Sequence, residues 1–129
     1  MLPTEHDCQY QKFSQFLHQL QQIVAQENQE PGKILAIVGE VQKFFDTHII
    51  SLDNSELDPS TTSQVQSYVI EIHKQLRLLN LDVTFLQVSQ TSETTQTRLA
   101  SIDDRVETLR GYCLTILDQI NLTQNQEQR

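Results

Sequence analysis

The chain has 129 residues, is 37% hydrophobic and carries a formal net charge of −8 at pH 7. This length fits one domain that can bury a core without disulfides, and the negative charge argues against binding to nucleic-acid phosphate, which needs a basic patch. No apolar run approaches the roughly 20 residues that a membrane span requires, so neither a nucleic-acid-binding nor a membrane-spanning protein is expected.

The first two predicted helices form a hairpin. A helix over 4–28 has Thr4 as its N-cap and apolar residues at steps of three or four. Pro31 begins a turn, and a second amphipathic helix follows over 32–52. The acidic segment 53–58 lacks periodicity and is predicted to be a loop.

The third and fourth helices are predicted to be longer. Asp58 followed by proline is a strong start signal, and the third helix is predicted over 59–89. A run rich in Thr and Ser separates it from a fourth helix over 95–122. The tail 123–129 has no apolar residue and is predicted to be disordered.

Four amphipathic helices with short connections predict an all-α fold, an antiparallel four-helix bundle in a single domain over 1–129, with two longer C-terminal helices. If the short hairpin covers only part of the long one, the uncovered end must expose apolar surface or bind another chain.

The third predicted helix carries apolar rows on two opposite sides, at about 100° per residue. We expect the first row to face the core. Two interpretations of the second stay open: other helices of the same bundle bury it, or it binds another protein or a second copy of the chain. The first row is Val65, Val69, Ile72, Leu76, Leu79, Val83 and Leu86, and the second is Leu78, Leu81, Phe85 and Val88.

Two basic residues border the second row on its N-terminal side, and Tyr68 and Tyr112 could add amphipathic contacts. We therefore predict a partner interface on this side of the third helix. It comprises Lys74, Arg77, Leu78, Leu81, Phe85 and Val88.

Residues that could support catalysis or bind a metal are poorly spaced. His73 follows Glu71 by two residues and His48 follows Asp46 by two, which separates each pair by about 200° on a helix. No phosphate-binding loop is present. We predict no enzymatic activity, no cofactor and no catalytic or metal-binding residue. The alternative is a helical-bundle enzyme, or a carrier of a small ligand or metal.

Two cysteines and an N-terminus without a secretory signal indicate a reducing cytoplasm. Cys8 and Cys113 are predicted to be packing residues, and Cys113 to be an inert buried thiol rather than a nucleophile. His6 and Cys8 have poor spacing for shared metal binding on a helix.

The run QVQSYVIEIHKQLRLLNLDVTFLQ over 64–87, followed by Asp104-Arg105-Val106 and Gly111-Tyr112-Cys113, resembles the cyanobacterial heterocyst-frequency-control proteins of the PatD family. The segment 41–45 is in keeping with this resemblance. It implies a small, cytoplasmic, non-enzymatic regulator that limits how many cells of a filament become nitrogen-fixing heterocysts. It also implies a connection with cell division through the tubulin-like protein FtsZ. No catalytic residue is implied.

Overall fold

Four helices make up nearly all of the computed structural model, which describes residues 4–26, 30–55 and 57–127. Helix α1 spans Thr4–Val24, α2 Pro31–Phe44, α3 Pro59–Gln87 and α4 Ser92–Glu127. A π-helical turn over Phe45–Ile49 continues α2. The described ranges contain no strand, and the two C-terminal helices are the longest. The predicted all-α bundle is therefore confirmed.

The helices form a ring in which α4 packs against α1 and α3, and α2 packs against both of the same helices. The rings of Tyr68 and Tyr112 lie 5.7 Å apart between α3 and α4. Further along α3, Asp82 accepts a hydrogen bond of 3.2 Å from Ser101. Later residues of α3 thus meet earlier residues of α4, so the two long helices run antiparallel.

The long hairpin extends past the short one, as expected. Gln21, three residues before the end of α1, donates a hydrogen bond of 2.7 Å to Glu107 of α4. Because α4 begins at Ser92, its first turns lie beyond the end of α1. The C-terminal part of α3 lies beside these turns, and Val88 is exposed there.

The core runs along the inside of the ring, and all four helices contribute to it. The predicted stripes of α1, α2 and α4 supply its buried apolar residues, which confirms the helical periodicity as a guide to the inner faces. Phe13 packs against Phe44 and Phe45, with ring centroids 6.2 and 5.9 Å away. The largest fully buried side chains are Tyr10, Phe13, Phe45, Leu17, Leu20, Ile34, Ile72, Leu76, Leu79, Ile102, Leu109 and Ile116.

The start of α3 agrees with the sequence prediction and the start of α4 does not. Asp58 accepts a hydrogen bond of 2.7 Å from the backbone N–H of Thr61, which satisfies a free donor of the first turn. Helix α4 begins at Ser92, three residues before the predicted 95. Thr91 explains the difference, because its hydroxyl accepts from the N–H of Thr94 at 3.1 Å and caps the helix.

The predicted C-terminal ends of the helices also differ from the structure. The predicted disordered tail is wrong for residues 123–127, which continue α4, while 128–129 lie outside the described residues. The tail is rich in glutamine, which sustains a helix without an apolar stripe. Helix α1 ends at Val24, and the predicted 27–28 also lie outside the described residues.

The remaining two ends differ by two or three residues. Helix α3 ends at Gln87 rather than 89. The second helical segment ends at Ile49 rather than 52, because the Ile50 N–H reaches back five residues to the carbonyl of Phe45 at 3.0 Å. This wider turn buries both Phe45 and Ile49 and closes the helical segment.

Candidate partner-binding surface

The two apolar rows of α3 have different environments. The first row is buried against the other helices, except Val69, which is half-buried. This result confirms that row as core. In the second row, Leu81 is 53% exposed, Phe85 46% and Val88 68%, while Leu78 is half-buried. Other helices of the same chain therefore do not cover the second row, and the interpretation that they bury it is wrong for the described structure.

Ile70 belongs to the exposed row, and the sequence reasoning missed it. Its side chain is 67% exposed. It precedes Lys74, Arg77 and Leu81 by four, seven and eleven residues, which are spacings that keep side chains on one face of a helix. The helical periodicity of the second row, extended towards the N-terminus from Leu78, includes it. We call the α3 surface the set Ile70, Lys74, Arg77, Leu78, Leu81, Phe85 and Val88.

A groove of about 470 Å³ lies on the α3 surface. Leu78 and Leu81 supply apolar lining, while Lys74 and Arg77 supply positive charge. Asn80 and Thr84 complete the lining from the side. Four of the six predicted interface residues thus line one groove, and the other two, Phe85 and Val88, continue the row towards the end of α3.

The groove has the chemistry of a contact site. Leu81 is exposed, Leu78 is half-buried, and both are bordered by cations, although the chain as a whole is acidic. Lys74 and Arg77 form no ion pair within residues 4–26, 30–55 and 57–127. The groove can therefore offer both apolar area and unpaired positive charge to another molecule.

Arg98 of α4 extends the basic border and fixes one of the apolar side chains. Its guanidinium carbon lies 4.7 Å from the centroid of the Phe85 ring, within the range of a cation–π contact. The same guanidinium lies 3.6 Å from a carboxylate oxygen of Asp82. Phe85 thus has Arg98 against one face of its ring while 46% of the residue stays exposed.

Asp82 is the centre of a polar cluster between α3 and α4. Its side chain is only 7% exposed and accepts hydrogen bonds from Arg105 and Ser101. Arg105 also donates to Gln75 at 3.3 Å. These groups satisfy a carboxylate that would otherwise be costly to bury, and they fix the register of the two long helices beneath the α3 surface.

The two tyrosines proposed as extra contacts do not lie on the α3 surface. Tyr68 and Tyr112 are half-buried and pack against each other between α3 and α4. Tyr68 is two residues before Ile70, which places it about 200° away around the helix. They therefore contribute to the packing of α3 against α4 rather than extend the α3 surface.

The candidates for catalysis and metal binding are dispersed. Within the described ranges, no group of three or more His, Cys, Asp and Glu residues could hold a metal ion. His6 is buried, with Nε2 3.0 Å from Oδ1 of Asn54, and this contact ties the start of α1 to the loop before α3. His73 packs against Phe45 at 6.0 Å between ring centroids, and His48 against Phe44 at 4.7 Å.

The two cysteines differ from each other. Cys113 is buried in the core, as predicted, and burial raises the pKa of its thiol to about 12. Its neighbour Tyr10 is buried too, and desolvation raises the pKa of the phenol above its usual value of 10.0. The prediction that Cys8 is a packing residue is wrong: Cys8 is exposed, since it lies two residues before Tyr10 and off the inward-facing stripe.

No family model, curated protein or solved structure matches this chain. In the part of the chain that the structure describes, none of the helices combines the length and the apolar character needed to cross a membrane. The functional proposal below is therefore based on the geometry and charge of the α3 surface.

Proposed function

We propose that this chain is a non-enzymatic regulator that acts by protein–protein contact through the α3 surface. The observation that supports the proposal is the exposed row of Ile70, Leu81, Phe85 and Val88 beside Lys74 and Arg77, two cations without an ion pair among the described residues. Apolar anchors at helical spacing, bordered by charge, are typical of surfaces that bind a partner helix or groove.

The resemblance of residues 64–87 to the PatD family extends the proposal to a process. The regulator limits how many cells of a filament differentiate into heterocysts, and it acts in the cytoplasm on the division protein FtsZ. The segment that carries the resemblance also carries the α3 surface. That coincidence makes FtsZ the first partner to test.

The experiment is sedimentation of FtsZ polymers with and without the purified chain. We expect the wild-type protein to change the amount of FtsZ in the pellet, and the double variant Leu81→Asp with Phe85→Asp to have no effect. A pair of buried charges at this interface would be strongly unfavourable, whereas in the free protein Leu81 and Phe85 are 53% and 46% exposed.

Leu114→Asp is the matched control, because Leu114 is also an exposed leucine, at 55%, but lies on α4. It should act on FtsZ like the wild type. Circular dichroism should show equal helicity for all three proteins. An unchanged pellet over a broad range of wild-type concentrations would refute direct action on FtsZ.

A further inference from the structure

The charges around the α3 surface restrict what can bind it. Lys74 and Arg77 lie among the exposed apolar residues, and Arg98 borders them from α4. Helix α3 has only two acidic residues. Asp82 is buried and paired with arginines, and Glu71 is half-buried about 60° around the helix from Lys74. The α3 surface is thus positively charged on a chain whose net charge is −8.

The α3 surface is long and helical. From Ile70 to Val88 it covers 18 residue steps, or roughly 27 Å at the rise of an α-helix. Ridges and grooves on such a face match those of another helix. The described ranges offer no strand edge to which an extended peptide could add.

We propose that the occupant of the α3 surface is an acidic amphipathic helix of a partner protein. Its apolar stripe packs on Leu81, Phe85 and their neighbours in the row. Its flanking carboxylates pair with Lys74, Arg77 and Arg98. This inference rests on the proposed function, since it specifies the partner chemistry of the same surface.

Electrostatics disfavours two other occupants. None of the residues that make up the α3 surface is acidic, so a second copy of that surface would offer no carboxylate to Lys74 and Arg77 in a symmetric pair. An anionic membrane is usually bound through clusters of four to eight basic residues, and this surface offers three on an acidic chain.

Arg98 also positions the Phe85 ring for contact with the partner. Because it spans Asp82 and the Phe85 ring, it keeps the aromatic side chain ready for contact before a partner arrives. A preformed aromatic anchor loses less rotamer freedom on binding. The remaining donors of its guanidinium can reach a partner carboxylate from the edge of the surface.

The test uses two synthetic helical peptides of about 18 residues, the length of the α3 surface. Both carry a leucine stripe; one has Glu on its flanks and the other has Lys. We expect wild-type protein to bind the Glu peptide at least about tenfold more tightly than the Lys peptide. The double variant Lys74→Glu with Arg77→Glu should reverse this preference, and Leu81→Asp with Phe85→Asp should bind neither.

The matched control is Lys33→Glu with Lys43→Glu on α2, which changes the net charge equally at exposed positions away from the α3 surface. It should retain the wild-type preference. Equal affinity for both peptides, or no effect of the Lys74 and Arg77 changes, would overturn the inference. A wild-type dimer that dissociates in the variant Leu81→Asp with Phe85→Asp would also overturn the inference. So would wild-type binding to phosphatidylcholine–phosphatidylserine vesicles, if the variant Lys74→Glu with Arg77→Glu loses that binding.

The outcomes separate this inference from the proposed function. If the FtsZ response requires Leu81 and Phe85 but survives reversal of Lys74 and Arg77, contact through the α3 surface stands and the acidic helix is refuted. If FtsZ does not respond but the charge-dependent peptide binding is observed, the acidic-helix inference stands and the choice of FtsZ fails.

Discussion

Replacing Asp82 with alanine is expected to lower the free energy of unfolding by about 2 kcal/mol. Loss of one partner from a fully buried ion pair costs roughly 3–5 kcal/mol, because the remaining charge is left without compensation. Here the side chains of Arg105 and Arg98 are 27% and 36% exposed, so water reduces the cost. Urea unfolding followed by circular dichroism measures the change.

Asp103→Ala is the matched control, since it removes an exposed carboxylate from α4. We expect it to change stability by less than about 0.5 kcal/mol. Equal stabilities of the Asp82 and Asp103 variants would contradict the assignment of Asp82 as the polar link between α3 and α4. Replacing Asp82 and its arginines together by apolar residues should cost less than the single change, because no buried charge is then left alone.

Raising the pH above about 9 is expected to destabilise the fold steeply. The folded state keeps the Cys113 thiol protonated up to a pKa of about 12, whereas the thiol of the unfolded chain ionises near its usual 9.0. Above pH 9 the folded state therefore binds more protons than the unfolded state, and stability falls as the pH rises. The loss from Cys113 is about 1.4 kcal/mol for each pH unit between 9 and 12.

Tyr10 adds to this loss at a somewhat higher pH, because burial also raises the pKa of its phenol above 10.0. Urea midpoints measured from about pH 8 to about pH 11 test the prediction. Cys113→Ala and Tyr10→Phe should each flatten the decline by removing one ionising group. Cys8→Ser is the matched control, because it removes the exposed thiol and leaves the buried Cys113 in place. If the stability of Cys113→Ala fell with pH as steeply as that of Cys8→Ser and the wild type, the buried thiol would not be the cause of the loss.

The fold was predictable because each helix carries its own inner stripe and most of its own boundary signals. Asp58 followed by Pro59 marks the start of α3, and the first apolar row of α3 is the buried one. The start of α4 was missed because threonines and serines are typical of loops as well as caps. Only the geometry of Thr91 distinguishes these two roles.

The location of the candidate site was predictable, while its electrostatics was not. Periodicity placed Leu81, Phe85 and Val88 on one face, and Ile70 could have been added by the same rule. Pairing of Asp82 with Arg98 and Arg105 depends on the register between α3 and α4, which a pattern within one helix does not contain. For the same reason the contact between Arg98 and Phe85 required the structure.

The unfolding free energies of Leu79→Ala and Leu81→Ala, measured side by side, test most directly whether the second row of α3 is a surface rather than core. Leu79 is fully buried and Leu81 is 53% exposed on the same helix. We predict a loss of roughly 2–5 kcal/mol for Leu79→Ala and less than about 0.5 kcal/mol for Leu81→Ala. Equal, large losses at both positions would contradict the account, because they would show that both rows stabilise the fold of the isolated chain.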